Sequence, residues 1–233
     1  VYSTFLQRAY DQILHDICLQ GLPVCLLVDH AGLVGSDGKT HHGVFDLAMF
    51  SSMPNMQVWE ASSNTELAQM LQKSIACEGP LAIRYVKEGI DLSDLCEARA
   101  FEPGVWQWLR EGEQAVLIAH GRMVRHALLA AGLLHDAGVE VAVINASTLK
   151  PLDRQSVCRA FPGGRPVFVI EENVPAGGLG QSIAMACMEE GLPSPRGCMT
   201  IGDRFVTHGS VDELLTLCGL MPEQIAQGVR ERL

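Results

Sequence analysis

A chain of 233 residues, 48% of them hydrophobic and 19% charged, has the make-up of packed globular α/β structure, which excludes disorder as its main content. It exceeds the usual single-domain size, so two units of roughly 100 to 130 residues, each with a core of its own, are expected. The formal net charge of −10, with Lys and Arg scattered along the chain, excludes nucleic acid and an anionic membrane surface as principal partners and leaves small molecules or proteins.

Eight cysteines without a C-x-x-C pair, several inside apolar runs such as "PVCLLVD" and "SIAMACMEE", read as buried free thiols of a reducing compartment. No stretch reaches the roughly 18 apolar residues of a spanning helix, and no basic-then-apolar signal opens the chain. The expectation is a soluble cytoplasmic protein. Its abrupt start at "VYSTFLQRAYDQ", without an initiator Met, implies that further chain precedes it.

The first predicted element is a helix: Ser3 is a good N-cap, and Phe5, Leu6, Ala9, Tyr10, Ile13, Leu14 and Ile17 recur at helical spacing before Gly21. "LPVCLLVD" is a continuous apolar run, expected to be a strand buried on both faces of a parallel sheet. At Asp29 it hands over to a loop rich in Gly and His. "FDLAMFSSM" reads as a short helix and "MQVWEA" as a strand. "SSNTELAQMLQKSIACEG" is a helix capped by Ser or Asn with Glu66 in its first turn, and "PLAIRYV" is a strand. Such alternation means βαβ units with ligands at the strands' carboxyl ends, so residues 29–46 and 84–89 share one rim.

From Lys87 to about Gly112 the periodicity lapses into a charged stretch broken by Pro103 and Gly104, an expected connector. A second unit follows, with strands "QAVLIAHG", "VEVAVINA" and "PVFVIEEN". Its helices are "MVRHALLAAGLLHDAG" closed by Gly138, "PLDRQSVCRAF" with Pro151 in its first turn, and "GGLGQSIAMACMEEG". The fold class is therefore α/β: two three-layer α/β domains with mostly parallel sheets.

Several constellations could carry chemistry. Gly177, Gly178 and Gly180 follow a strand and open a helix, but their spacing is not G-x-G-x-x-G, so close helix–strand packing is the expected use. His41 and His42 are adjacent, face opposite sides in extended backbone and cannot chelate one ion; no metal ligands are assigned. Glu171 and Glu172 likewise face apart, with helix capping or a subunit contact ahead of acid–base work. Asp203, His208 and Ser210 lack the nucleophile elbow of a hydrolase.

Taken in order, "YSTFLQRAYDQ", "DHAGLVGSDGKTHHGVFDL", "RYVKEG" and "DRFVTHGS" resemble the C-terminal half of the 1-deoxy-D-xylulose-5-phosphate synthase family, over nearly the whole chain. That family is similar to transketolases and to the β subunit of thiamine-dependent 2-oxo acid dehydrogenases. The resemblance implies a transketolase-like pyrimidine-binding domain at 1–95 without its N-terminal part, a linker at 96–112 and a transketolase C-terminal domain at 113–233. It implies thiamine diphosphate as cofactor, with Mg²⁺ held by a domain or subunit absent from this chain, and a homodimer.

By the same resemblance, Phe5 matches the aromatic that stacks on the aminopyrimidine, with Tyr2 and Arg8 as its polar neighbours. His41 matches the substrate-contacting histidine, with Asp37 beside it. His30 and Lys87 stand where the family carries phosphate-anchoring arginines. A guanidinium grips phosphate in a fixed fork, whereas lysine is a point charge and histidine is largely neutral at pH 7, so weaker phosphate binding is expected. The implied activity is a transferase condensing pyruvate with glyceraldehyde 3-phosphate with loss of CO₂, toward isoprenoid and thiamine precursors, with this chain inactive alone. Two alternatives stay open: a transketolase-type transferase with another acceptor, and a non-catalytic assembly subunit.

Overall fold

Short runs rich in Val, Leu and Ile supply the strands, because branched side chains pack well on a pleated surface. The computed structural model describes residues 1–233, the side chain of Pro162 excepted. In the first half, β1 (Cys25–Val28), β2 (Gln57–Glu60) and β3 (Leu81–Arg84) run parallel, with Val28 and Glu60 both opposite Arg84. The order is β1-β3-β2-β7; β7 (Thr148–Lys150) arrives from the second half and pairs antiparallel with β2.

The second sheet holds β4 (Gln107–Arg110), β5 (Ala115–Ala119), β6 (Val141–Asn145), β8 (Val167–Ile170) and β9 (Gly197–Met199), in the order β4-β6-β5-β8-β9. Only β4 is antiparallel among these pairs. Flanking helices are α3 (Asp46–Ser51), α4 (Asn64–Ser74), α5 (Met123–Asp136), α6 (Arg154–Ala160), α7 (Leu179–Glu190), α8 (Val211–Cys218) and α9 (Pro222–Arg230); α1 (Ser3–Leu6) and α2 (Tyr10–Gln12) open the chain.

Side chains alternate across β5: Ala115, Leu117 and Ala119 join α5 and α9 in one core cluster, while Val116 and Ile118 face another. That second cluster also contains Leu6, Val28 and Phe50 from the first half. The two sheets therefore share a core, instead of each burying one alone.

Four expectations need correction. The connector expected at 96–112 contains β4, because Trp106 and Trp108 are buried there and β4 pairs with β6. Pro151 lies before α6; β7 carries the chain to Lys150, and Asp153 caps the helix through the Ser156 N–H at 3.0 Å. Ser3 is the first residue of α1 and not its cap, since Val1 and Tyr2 run parallel to the end of β1 and the Ser3 N–H goes to the Asp29 carbonyl at 3.0 Å. The helix it opens is also uneven: a 3-10 turn (Gln7–Ala9) separates α1 from α2, and a π-helical stretch (Ile13–Cys18) follows. Finally, β1 is paired along its length only with β3 and buries alternate residues, leaving Cys25 and Leu27 exposed.

Candidate active site

Nearly every parallel strand ends at its carboxyl edge in an ionisable residue: Asp29 after β1, Glu60 on β2, Arg84 on β3, His120 after β5, and Glu171 and Glu172 after β8. Five of these, with Asp46 and Asn173, make a dry seam between the two sheets. The buried Arg84 guanidinium donates to Asp46 through Nε (3.0 Å) and Nη2 (2.9 Å), a two-pronged grip that fits its planar fork. It also donates to Asn173 Oδ1 (3.0 Å), to the Gly43 carbonyl (3.3 Å) and to Glu60.

Glu60 in turn meets His120 Nδ1 at 2.9 Å, and His120 Nε2 faces Glu171 Oε2 at 3.7 Å. Burial alone would lower the His120 pKa, but the charge of Glu60 and the contacts with Glu171 and Glu60 carry it up to about 9. Asn173 Nδ2, 3.3 Å from the same nitrogen, favours the neutral ring; one neutral hydrogen bond is outweighed by two carboxylates in a dry setting. Burial would likewise raise the Glu60 pKa, yet the Arg84 and His120 charges hold it down at about 2. Asp46, Glu60, Arg84 and protonated His120 thus balance to zero charge. Glu171 also caps α7, accepting the Leu179 and Gly180 N–H groups at 2.8 and 2.9 Å, as its expected capping role requires.

Above this seam lies an open rim. Tyr2 stacks on His30 with ring centroids 4.0 Å apart, and its hydroxyl donates to Asp37 at 3.1 Å. Burial, followed by the hydrogen bond to Asp37 and that residue's charge, pushes the Tyr2 pKa up to about 12. Phe5 lies 5.1 Å from Tyr2, and His41 stands edge-on to both rings at 5.5 and 6.0 Å. Phe5 is 50% exposed, and the Arg8 guanidinium is 6.0 Å from its ring centre. Six of the seven sequence-predicted residues, Tyr2, Phe5, Arg8, His30, Asp37 and His41, therefore come together. Lys87 does not join them: it is exposed and makes no hydrogen bond or salt bridge among the described residues.

His30 has the left-handed φ of 59° that only strongly held non-glycine residues keep. Its Nδ1 and Asp29 Oδ1 are 3.2 Å apart, but neither makes a hydrogen bond of good geometry, and Ser3 Oγ and Thr4 Oγ1 beside them are also buried and unpaired. His30, stacked on Tyr2, ties this buried group to the aromatic rim. Next to it a cavity of about 350 Å³ is lined by Thr4, Gln7, Lys39, Thr40, His42 and Phe45 among others. A larger cavity, about 500 Å³, lies elsewhere, between α4 and the 91–99 segment; its buried carboxylate, Glu66, is satisfied by Ser62 and Asn145. We place the functional site at the rim, where Tyr2, Phe5, His30 and His41 converge and the Phe5 ring is half exposed.

Such a rim fits a flat heteroaromatic ring laid against Phe5. Among the described residues no group of three or more His, Cys, Asp or Glu side chains is placed to hold a metal ion.

A shared core, a strand from the second half completing the first sheet, and a loop at the rim define a transketolase-type pair of α/β units. Solved structures agree: a split-gene transketolase described as an inactive β4 tetramer superposes with a TM-score of 0.89 at 29% identity, covering 100% of this chain and 74% of that one. A Pichia stipitis transketolase has the same fold, with a TM-score of 0.82 at 20% identity over 100% of this chain and 33% of that one. The chain belongs to the transketolase family, matching its pyrimidine binding domain over residues 1–91 and its C-terminal domain over residues 104–225. Among curated proteins it is 43% identical to 1-deoxy-D-xylulose-5-phosphate synthase of Pelotomaculum thermopropionicum, covering 100% of this chain and 37% of the relative. It is 39% identical to that of Clostridium acetobutylicum, covering 98% of this chain and 37% of the relative. The chain thus spans little more than a third of the length of these relatives.

Sequence reasoning passed over Arg84's buried partners, His120, Arg122 and Asn173. The signal that could have found them is the ionisable residue closing each apolar strand, "VD", "WE", "IR", "AH" and "IEEN".

Proposed function

We propose that this chain supplies one wall of a thiamine diphosphate site in a transferase that condenses pyruvate with glyceraldehyde 3-phosphate with loss of CO₂, a step toward isoprenoid and thiamine precursors. The observation that carries this reading is the gathering of Tyr2, Phe5, His30, Asp37 and His41 on one rim. Its support from relatives is identity of 38 to 43% along essentially the whole chain to proteins named as that synthase. Residues 1–95 act as the pyrimidine-binding unit, and the C-terminal unit runs to residue 233 and includes β4, so it starts before residue 113.

When bound, the cofactor supplies the carbon nucleophile and the electron sink for decarboxylation. Phe5 gives its ring a flat apolar seat, with Tyr2 and Arg8 at the edges. His41 carries protons to and from the substrate's carbonyl oxygen, work suited to a ring that can donate at one nitrogen and accept at the other. Asp37 holds the Tyr2 hydroxyl, which keeps the shelf upright. His30 faces the acceptor's phosphate; Lys87, which stands apart from the rim, does not share that role.

The diphosphate and its Mg²⁺ are held by a further domain or subunit, so the chain is inactive alone; the split-gene transketolase described as an inactive β4 tetramer supports this. That neighbour also supports a homo-oligomer, for which we propose a dimer of complete enzymes. Eight free cysteines suit a cytoplasmic location. A second reading, an unphosphorylated acceptor, is favoured by His30, whose ring is stacked on Tyr2 and which replaces a fixed cation. Competition between glyceraldehyde 3-phosphate and glyceraldehyde in the complete enzyme tests the pair: preference for the phosphorylated aldehyde supports the first reading, and preference for the other removes its substrate.

A further inference from the structure

His41 is held in place mainly by its own backbone. Its ring bonds only to the neighbouring Thr40 Oγ1 at 2.9 Å, and its N–H goes to the Gly38 carbonyl at 2.9 Å. Where the imidazole stands is therefore decided by what anchors the loop around it. The neck is a pair of reciprocal backbone bonds between Gly32 and Gly43, 2.8 Å each. Both positions need glycine: Gly32 has a φ of 77° and a Cβ there would sit 2.5 Å from the Glu172 carboxylate, and a Cβ on Gly43 would collide with the His30 backbone carbonyl.

Inside the neck, two consecutive buried amides end on side chains. Leu33 N–H donates to Glu172 Oε1 at 2.7 Å, and Glu172 is in turn paired with Arg122 at 2.9 Å. Val34 N–H donates to His42 Nδ1 at 3.1 Å, while His42 Nε2 meets the Thr207 carbonyl at 2.9 Å. A carbonyl can only accept and an amide N–H can only donate, so Nε2 carries the proton and Nδ1 is bare. His42 is thus a neutral strap with one end on the loop and the other on the second half of the chain. It is 2% exposed, so breaking either bond orphans a buried group. His41 and His42 are adjacent in the chain, so a shift of the backbone at His42 carries the Cα of His41 with it.

We propose that His42 is a positioning residue, through which the segment carrying Thr207 sets the place of the His41 imidazole. The proposal rests on the reading above that His41 faces the substrate. A glutamine preserves the strap, because its amide oxygen and nitrogen flank one carbon as the two ring nitrogens do: the oxygen accepts from Val34 and the NH₂ donates to Thr207. Leucine keeps bulk and loses both bonds.

The test compares wild type, His42→Leu and His42→Gln in the complete enzyme, by steady-state kinetics with pyruvate and glyceraldehyde 3-phosphate and by hydrogen exchange of residues 33–42. Expected are a kcat about tenfold lower or worse in His42→Leu, since small misplacements of a reacting group are costly, a nearly unchanged KM, faster exchange of the loop, and recovery of both readouts in His42→Gln. Wild-type kcat in His42→Leu, or equal impairment of both variants, overturns the proposal. If wild type itself makes no product, the functional reading fails on its own, and exchange still decides the strap: loosening in the leucine variant alone supports it, and no loosening refutes it.

Discussion

Two histidines one sheet-edge apart show how surroundings settle a role. His120 is sealed between Glu60 and Glu171, and its proton is held to about pH 9. Such a group stays charged through the physiological range and has no path to solvent, so it joins the sheets and transfers nothing. His41 stands on an aromatic rim beside a cavity, and among the described residues its ring makes one hydrogen bond, to a threonine hydroxyl. The seam thus spends its polar groups on each other, while the rim keeps the Phe5 ring half exposed beside His41. Accessibility separates the two regions better than the number of charged residues does, because the seam has more charge and is sealed.

Breaking the seam gives the largest expected effect. Arg84→Met leaves Asp46 and Glu60 buried beside only His120, and loss of about 3–5 kcal/mol is expected, as for a buried pair with one partner removed. Urea unfolding measures it, and a loss below about 1 kcal/mol would mean that the seam is far better hydrated than it looks.

The seam should also answer to pH. The His120 pKa lies above its unfolded value of 6.5, so its contribution is complete below pH 6.5 and is lost as pH rises through about 9. A shift of this size corresponds to roughly 3 kcal/mol. The Glu60 pKa is depressed from 4.5, so its contribution is complete above pH 4.5 and is lost as pH falls through about 2. Thermal unfolding should show greatest stability between these limits, and His120→Gln should flatten the alkaline slope.

Changes at the rim should spare stability and reduce activity. His41→Ala is expected to lower kcat of the complete enzyme by about 10²-fold, within the range for a lost proton carrier, with the unfolding midpoint unchanged. Phe5→Ala should be the mildest: a weaker stack costs about 1 kcal/mol, read by calorimetry as roughly fivefold poorer cofactor binding. A fall in stability with either substitution would blur the line between rim and seam.

Much of the local structure was legible because it depends on short-range chemistry. Ser63 caps α4 through the Glu66 N–H at 3.1 Å, as "SSNTEL" implies, and the paired histidines and paired glutamates each go to different partners, although His41 lies in a turn and not in the extended backbone expected. The rim was legible through the composite motifs, which bring residues 2, 5, 30, 37 and 41 together. The seam was not, since its bonds join residues 60 and 120 or 84 and 173, and periodicity within a segment says nothing about which strand ends meet. For the same reason β7 was hidden: a three-residue strand borrowed by the other sheet has no pattern of its own.

The central claim is that the rim is half of a site. Its most direct test is product formation from pyruvate and glyceraldehyde 3-phosphate with thiamine diphosphate and Mg²⁺, by this chain alone and then with a diphosphate-binding companion from the same enzyme. The account predicts none in the first case and turnover in the second; turnover by the chain alone, with stoichiometric cofactor uptake, would contradict it.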